Sequence, residues 1–253
     1  MGLKALLWDV DGTLAETEFH GHRRAFNEAF AEAGLPWRWD GATYGQLLRI
    51  SGGRERIRHF LSEQEGTATP VSAERVDALM AAKQMAYARL ARTGVLPLRP
   101  GVRRLVAEAA AEGLPQALVT TSSRSAVAAL LEGQDAELAE AFSFWICGED
   151  VNAKKPSPEG YLSALERLHL SAWEVLALED SPQGLMAAQG ASLPCLLTLG
   201  EQPDRQATPW WERAAAAVNH LGEQQTPTEV LHGPPCQEGK VTLSWLGTLV
   251  EAG

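Results

Sequence analysis

Two aspartates, two residues apart, close the first apolar run of the chain: Leu6-Leu7-Trp8-Asp9-Val10-Asp11-Gly12-Thr13. Carboxylates this close repel in a partly buried setting unless a cation or a shared proton relieves them. The pattern points to a divalent metal site, with one carboxylate free to attack and the other free to move protons. Read alone, the segment also fits a strand that ends in an Asp-Gly turn. Three further segments carry reactive residue types. Leu118-Val119-Thr120-Thr121-Ser122-Ser123 runs an apolar stretch into hydroxyls; with free backbone N–H groups at a helix start these bind phosphate, or else they simply cap the helix. In Lys154-Lys155-Pro156-Ser157-Pro158 a lysine is held by the proline after it. That makes a fixed cation suited to a phosphate and to quieting a neighbouring carboxylate, although a Lys-Pro pair alone also suits a surface loop. Finally, the apolar run 175–178 ends on Glu179-Asp180-Ser181-Pro182. Capping and a proline at the first helical position account for Ser181 and Pro182 but not for the acidic pair. Asp180 fits a magnesium ligand, direct or through water, with Glu179 behind it.

Short apolar runs at 3–8, 116–120, 142–146, 175–178 and 195–198 read as strands, with a weaker one at 214–218 that could equally continue a helix. Helical patterns lie between them at 102–112, 124–132, 158–168 and 182–189. This alternation predicts an α/β fold: a Rossmann-like parallel sheet with helices on both faces. Reactive groups in such sheets collect at the carboxyl ends of strands, where Asp9, Thr120, Lys155 and Asp180 fall. Between about residues 17 and 94 the alternation gives way to helical periodicity at 22–33, 54–65 and 73–91, with Ser72 as an N-cap and Gly34 and Gly94 as stops. The stretch reads as an inserted helical cap over the active end of the sheet. The domains expected are a core of 1–16 with 95–253 and a cap of 17–94, with Thr17 and 96–100 as hinges. Pro203, Pro209, Pro227 and Pro234-Pro235 suggest loops after Gly200, and 241–249 a last amphipathic helix packed on the core.

A formal charge of −10 over 253 residues argues against nucleic acid and anionic membrane as partners, and requires a locally basic pocket for any anionic substrate. Cys147, Cys195 and Cys236 fit neither a disulfide framework nor a zinc site, so reduced, mostly buried thiols are expected. No apolar run is long enough to span a membrane. The first strand begins near Leu3 and leaves no room for a targeting segment. The expectation is a cytoplasmic monomer, or a mature stromal protein of an organelle if a leader has been removed.

In this order, the Asp-x-Asp-Gly, strand-end threonine, lysine and acidic-pair segments resemble the motifs of the haloacid dehalogenase superfamily of phosphoryl-transfer enzymes, over residues 3 to about 199. Ala15-Glu16-Thr17-Glu18, Gly21-His22-Arg23, Trp39-Asp40, Tyr44, Gly52-Gly53-Arg54-Glu55-Arg56, Lys83 and Leu98-Arg99-Pro100-Gly101 narrow the likeness to the CbbY group. That group is similar to β-phosphoglucomutase but hydrolytic, acting on xylulose 1,5-bisphosphate, a Rubisco inhibitor. The tail after Gly200 departs from it. The resemblance implies Asp9 as nucleophile and Asp11 as general acid and base. It implies Mg2+ held by Asp9, the Asp11 carbonyl and Asp180, with Glu179 orienting waters. Thr120, Thr121 and Lys155 would hold the transferring phosphoryl group, with Ser122 beside them. The small phosphorylated sugar would be selected in the cap, where Arg54 after Gly52-Gly53 is the candidate for a second phosphate, with His22 and Lys83 as secondary candidates and Glu18 and Tyr44 for hydroxyls. A phosphatase of another small ester and a sugar-phosphate mutase remain the alternatives. Thr13 stands where the mutases tend to carry valine.

Overall fold

The computed structural model describes residues 2–65, 72–134, 136–199 and 210–251. Seven strands, β1 (Ala5–Trp8), β2 (Gln116–Val119), β3 (Phe144–Ile146), β4 (Val175–Glu179), β5 (Cys195–Thr198), β6 (Ala216–Val218) and β7 (Val230–His232), form one sheet in the order β3-β2-β1-β4-β5-β6-β7. The first six are parallel and β7 pairs antiparallel with β6. β1, β2, β4 and β5 are buried at every position, as strands covered on both faces must be.

Side chains alternate between the two faces. Leu6, Trp8, Leu118 and Leu178 pack with α5 (Val102–Ala111), α6 (Arg124–Glu132) and α10 (Leu243–Glu251), beside the short α7 (Ala136–Glu140). Leu7, Ala117, Ala177 and Leu197 pack with α8 (Glu159–Leu168) and α9 (Pro182–Gly190). Because β1 lies between β2 and β4, the ends of these three strands bring Asp9, Thr120 and Asp180 to one crevice, where chain crossings diverge to either side.

The inserted cap comprises a π-helical turn, Glu18–His22, then α1 (Arg23–Glu32), α2 (Gly41–Leu47), α3 (Gly53–Glu65) and α4 (Ala73–Arg92). Phe26, Phe30, Trp39, Tyr44, Ile57, Phe60, Leu61 and Val76 give it a core of its own. Ser72 caps α4, its hydroxyl accepting from Arg75 N, and Gly34 and Gly94 follow α1 and α4 with φ of +66° and +71°. α2 has no apolar periodicity to announce it. It forms because Asp40 accepts from Thr43 N at 2.8 Å and because Asn27 fixes Trp39 through both the Trp39 N–H and C=O.

The two linkers run as a short antiparallel ribbon: Ala15 bridges Leu98, and Arg99 N donates to Leu14 O at 2.8 Å. The Arg99 guanidinium is buried. It donates to the carbonyls of Gly12, Thr198 and Asn219 and pairs with Glu16 at 3.0 Å. Leu98 and Arg99, inside the 96–100 stretch expected as a hinge, are held by these bonds.

The tail corrects one expectation. Pro203 and Pro209 lie outside the described residues, but Pro227 and Pro234-Pro235 flank β7, an edge strand that sequence reading took for loop. Three half-buried residues between prolines give no legible alternation. α10 lies two residues beyond the predicted 241–249, with Trp245, Leu246 and Leu249 buried in the core. Residues 216–218 of the alanine run are strand. Cys147 and Cys195 are buried free thiols and Cys236 is a half-buried one. Among the described residues no helix is long and apolar enough to cross a membrane.

Candidate active site

Asp9 follows β1 with its N–H bonded to Leu178 O. Lys155, from the loop after β3, donates to Asp9 Oδ1 at 2.6 Å and to Val119 O at 2.7 Å, and meets Glu179 Oε1 at 2.6 Å. Tyr161 on α8 donates to the same Glu179 oxygen at 2.6 Å. Burial alone would lower the Lys155 ammonium, but Asp9 and Glu179 hold it well above its usual range. Burial pushes the Asp9 carboxyl up to about 8. Lys155 opposes the shift, and Glu179 and Asp11 add to it. Burial, then Asp9 and Glu179, raise Asp180 well above the carboxylate range.

This crowd of buried carboxylates suits a bound cation. Oxygens of Asp9, Glu179 and Asp180 lie within 4.8 Å of one another. Gly12 has a φ of +85°, and a Cβ there would fall 2.0 Å from Asp180 Oδ2, so glycine is what lets Asp180 approach the Asp11-Gly12 turn. An all-oxygen set of this kind fits a hard divalent cation. Glu179 is the least free of the three: Lys155 and Tyr161 share one oxygen, and the other is buried with no hydrogen-bond partner.

Asp11 faces the cap. Its Oδ1 accepts from Thr17 Oγ1 at 2.5 Å and meets His22 Nε2 at 2.8 Å, while Oδ2 accepts from Ser122 Oγ. Burial would raise this carboxyl, but the His22 charge and the bonds from His22, Ser122 and Thr17 outweigh it and hold the group well below the usual range. His22 stacks on Tyr87 and meets Lys83 Nζ at 2.9 Å through Nδ1. Burial pushes the Lys83 ammonium down to about 8 against the opposing charges of Asp11 and Glu18.

A cavity of about 380 Å3 lies between the cap and the crevice. Asp11, Glu18, His22, Lys83, Thr121 and Ser122 reach its wall, as do Gly53 and Arg54 at the start of α3. Arg54 is ion-paired with Asp77. Tyr44 is fully buried behind Glu18: it donates to Glu18 Oε2 at 2.5 Å and accepts from Arg56 at 2.8 Å. Thr120 is buried and accepts from Ser122 N at 3.1 Å, closing the loop after β2.

Sequence reasoning did not single out Tyr161, Arg56, Lys154 or Arg99. Lys154 and Arg56 sit beside residues that were singled out, Lys155 and Arg54, and both reach the cavity wall. Tyr161 has no such signal, since it occupies an apolar stripe of α8 like any core aromatic.

Residues 3–192 match the family model of the haloacid dehalogenase-like hydrolases. The CbbY protein of Cupriavidus necator is 41% identical over 99% of this chain and 100% of its own length, and that of Rhodobacter capsulatus 41% identical over 88% and 99%. The crystal structure of a CbbY mutant from Rhodobacter sphaeroides in complex with xylulose-(1,5)bisphosphate superimposes with a TM-score of 0.78 at 39% identity, covering 88% of this chain and 96% of that one.

Proposed function

The chain belongs to the haloacid dehalogenase-like hydrolase family, and from that premise we propose that it is a magnesium-dependent phosphatase that converts xylulose 1,5-bisphosphate to xylulose 5-phosphate through an aspartyl-phosphate at Asp9. The observation that carries the reading is the division of labour between two carboxylates two residues apart. Asp9 is bonded to a core lysine, and Asp11 is bonded across the crevice to His22 of the cap. The likeness to a protein solved with that bisphosphate supports the choice of substrate.

In this mechanism an Asp9 oxygen attacks the phosphorus in line with the sugar oxygen. Asp11, ionised without ligand, takes up a proton as the dianionic substrate enters and gives it to that oxygen as the bond breaks. It then takes a proton from the water that attacks the Asp9 phosphoryl group and releases inorganic phosphate. Lys155, the Thr120 hydroxyl and the Thr121 N–H hold the equatorial oxygens as charge spreads. Asp9, Asp180 and the Asp11 carbonyl, with Glu179 behind, would hold a magnesium ion, which would supply the positive charge that keeps Asp9 ionised and lets it meet an anionic phosphoryl group. Thr17 and His22 reach Asp11 only through the linker and the cap, so closure fixes the acid–base residue at the moment it excludes water. Glu18, held by Tyr44 and Arg56, accepts from a sugar hydroxyl, and Arg54 grips the second phosphate.

The test is a phosphate-release assay with magnesium over sugar mono- and bisphosphates and phosphoglycolate. Xylulose 1,5-bisphosphate is expected to give the highest kcat/KM. A higher value for phosphoglycolate or a hexose monophosphate would overturn the substrate assignment, and redistribution of phosphate on the sugar without release would indicate a mutase.

A further inference from the structure

Two adjacent lysines leave the loop after β3 in different directions. Lys155 goes inward to Asp9 and Glu179. Lys154 crosses from the core to the cap, where its Nζ donates to Glu55 of α3 at 2.9 and 3.2 Å. The crossing is built for it on both sides. At Gly148 a Cβ would fall 3.3 Å from Lys154 Cε and 2.4 Å from Thr121 O. At Gly52, with φ of +90°, a Cβ would fall 2.9 Å from Lys154 Nζ and 2.1 Å from Glu55 Oε2. Lys154 and Arg54 both stand on the cavity wall, one from the core and one from the cap.

The other cavity cations are committed elsewhere. Arg56 is buried against Tyr44, Leu47 O and Ile50 O, and Lys83 is engaged with His22. The Lys154–Glu55 pair is different: its side chains are 26% and 43% exposed. Ion pairs this open to water are weak. A phosphate dianion forms stronger charge-assisted bonds than a carboxylate and can take Glu55's place.

We propose that Lys154 is the core's ligand for the distal phosphate of a sugar bisphosphate, and that Glu55 holds its place until that phosphate displaces it. The inference rests on the bisphosphate reading above. Bound between Lys154 and Arg54, the distal phosphate ties core to cap, so a substrate with two phosphates favours closure and one with a single phosphate does not. The pair is thus a specificity device and not only a latch, and the two readings give opposite signs for Glu55.

The experiment measures kcat/KM of the full-length protein with magnesium for xylulose 1,5-bisphosphate, fructose 1-phosphate and p-nitrophenyl phosphate, in the wild type, Lys154→Met and Glu55→Gln, with thermal unfolding as the check on folding. Lys154→Met is expected to lower the bisphosphate-to-monophosphate ratio of kcat/KM at least tenfold, through KM. Glu55→Gln is expected to raise it about threefold, because the competitor is gone. Lys154→Arg should restore most of the ratio. Loss of activity in equal proportion on all three substrates in both variants would overturn the proposal and leave a plain latch, and so would a lowered ratio in Glu55→Gln. If the wild type itself shows no preference for the bisphosphate, the substrate reading fails first. A preference in the wild type that Lys154→Met leaves intact sinks the lysine's role alone.

Discussion

Lys155 answers to three acceptors at once, and that sharing sets what each neighbour contributes. Glu179 Oε1 is held by Lys155 and by Tyr161, and its partner oxygen is buried without a hydrogen bond. Tyr161→Phe removes one of the few bonds this carboxylate has. The expected cost is about 1–3 kcal/mol in denaturant unfolding, together with weaker magnesium binding by calorimetric titration. Unchanged magnesium affinity would reduce Tyr161 to packing. Asp9→Asn is expected to abolish phosphate release while keeping the fold. Since burial raises the Asp9 carboxyl to about 8, the metal-free site already holds this group mostly neutral near pH 7, so a neutral amide costs little and the metal-free variant should melt no lower than the wild type. A folded Asp9→Asn protein that still turned over substrate would sink the nucleophile assignment. Lys83 carries a pH signature. Its folded pKa, about 8, lies below the ordinary lysine value of 10.5. Between these values the unfolded chain binds more protons, so the Lys83 contribution to stability is fully present above 10.5 and is lost as pH falls through 8. Relative to Lys83→Met, the wild type should gain up to about 3 kcal/mol from pH 7.5 to 10.5, read by chemical denaturation at each pH. A difference that stays flat with pH would show that the amine is not buried as a cation.

At the scale of elements, the turn after β1 decides whether Asp180 can come close. Gly12→Ala would place a methyl 2.0 Å from Asp180 Oδ2 at a φ of +85°. The expected result is a folded protein that has lost magnesium affinity by about a hundredfold, measured by calorimetry; retained affinity would separate Asp180 from the cation. The elements around this turn were legible because each states its role in local sequence. The continuous apolar runs of β1, β2 and β4 end on residues that the proposed mechanism uses, and Ser181-Pro182 starts α9 as a cap and first-turn proline should. Elements formed by tertiary contact were not legible. α2 depends on Asn27 and Trp39, and β7 depends on the edge of β6. The site divides the same way. Asp9, Asp11 and Asp180 stand just past strand ends and can be read from position, and Lys155 is marked by the proline that follows it. The bonds that fix Glu179, Asp11 and the Gly12 carbonyl around them come from Tyr161, Thr17 and Arg99, 18, 6 and 87 positions away. Arg99 was quoted within a motif but given no role, because a buried arginine reads in sequence like any surface one.

Across the whole molecule, stability and selectivity are drawn from different places. The cap has its own aromatic core, but α4 also packs on α6, with Ala86, Tyr87 and Ala91 in the buried cluster that holds Val127 and Leu130. Polar bonds lie beside that seam: Gln84 Nε2 to Ser123 Oγ at 2.9 Å, Gln183 Nε2 to Arg49 O at 3.1 Å, and Lys154 to Glu55. The polar bonds break at small cost, which admission of substrate requires, while the apolar α4–α6 seam keeps the cap on the core. The tail does the reverse. Arg104 donates to Leu221 O, Gly222 O and Val241 O, Gly101 N donates to Glu223 Oε1, and α10 places Leu246 in the buried cluster that also holds Leu6, Leu178 and Leu196 of the sheet. Leu246 is fully buried. Leu246→Ala therefore creates a cavity between α10 and β4 and is expected to cost about 3 kcal/mol, lowering Tm by about 6–12 °C. α10 packs on α5, β4 and the turn that precedes β4, and none of the cap or cavity residues lies on it. Well below its Tm, the Leu246→Ala protein should keep the wild-type kcat/KM and the same preference among substrates. Calorimetry and steady-state kinetics on one preparation decide it. A lowered Tm with unchanged selectivity places the tail as core alone. A shift in KM for the bisphosphate would mean instead that strain at the end of the chain passes through β4 to Glu179 and Asp180, and that the sheet couples the tail to the crevice.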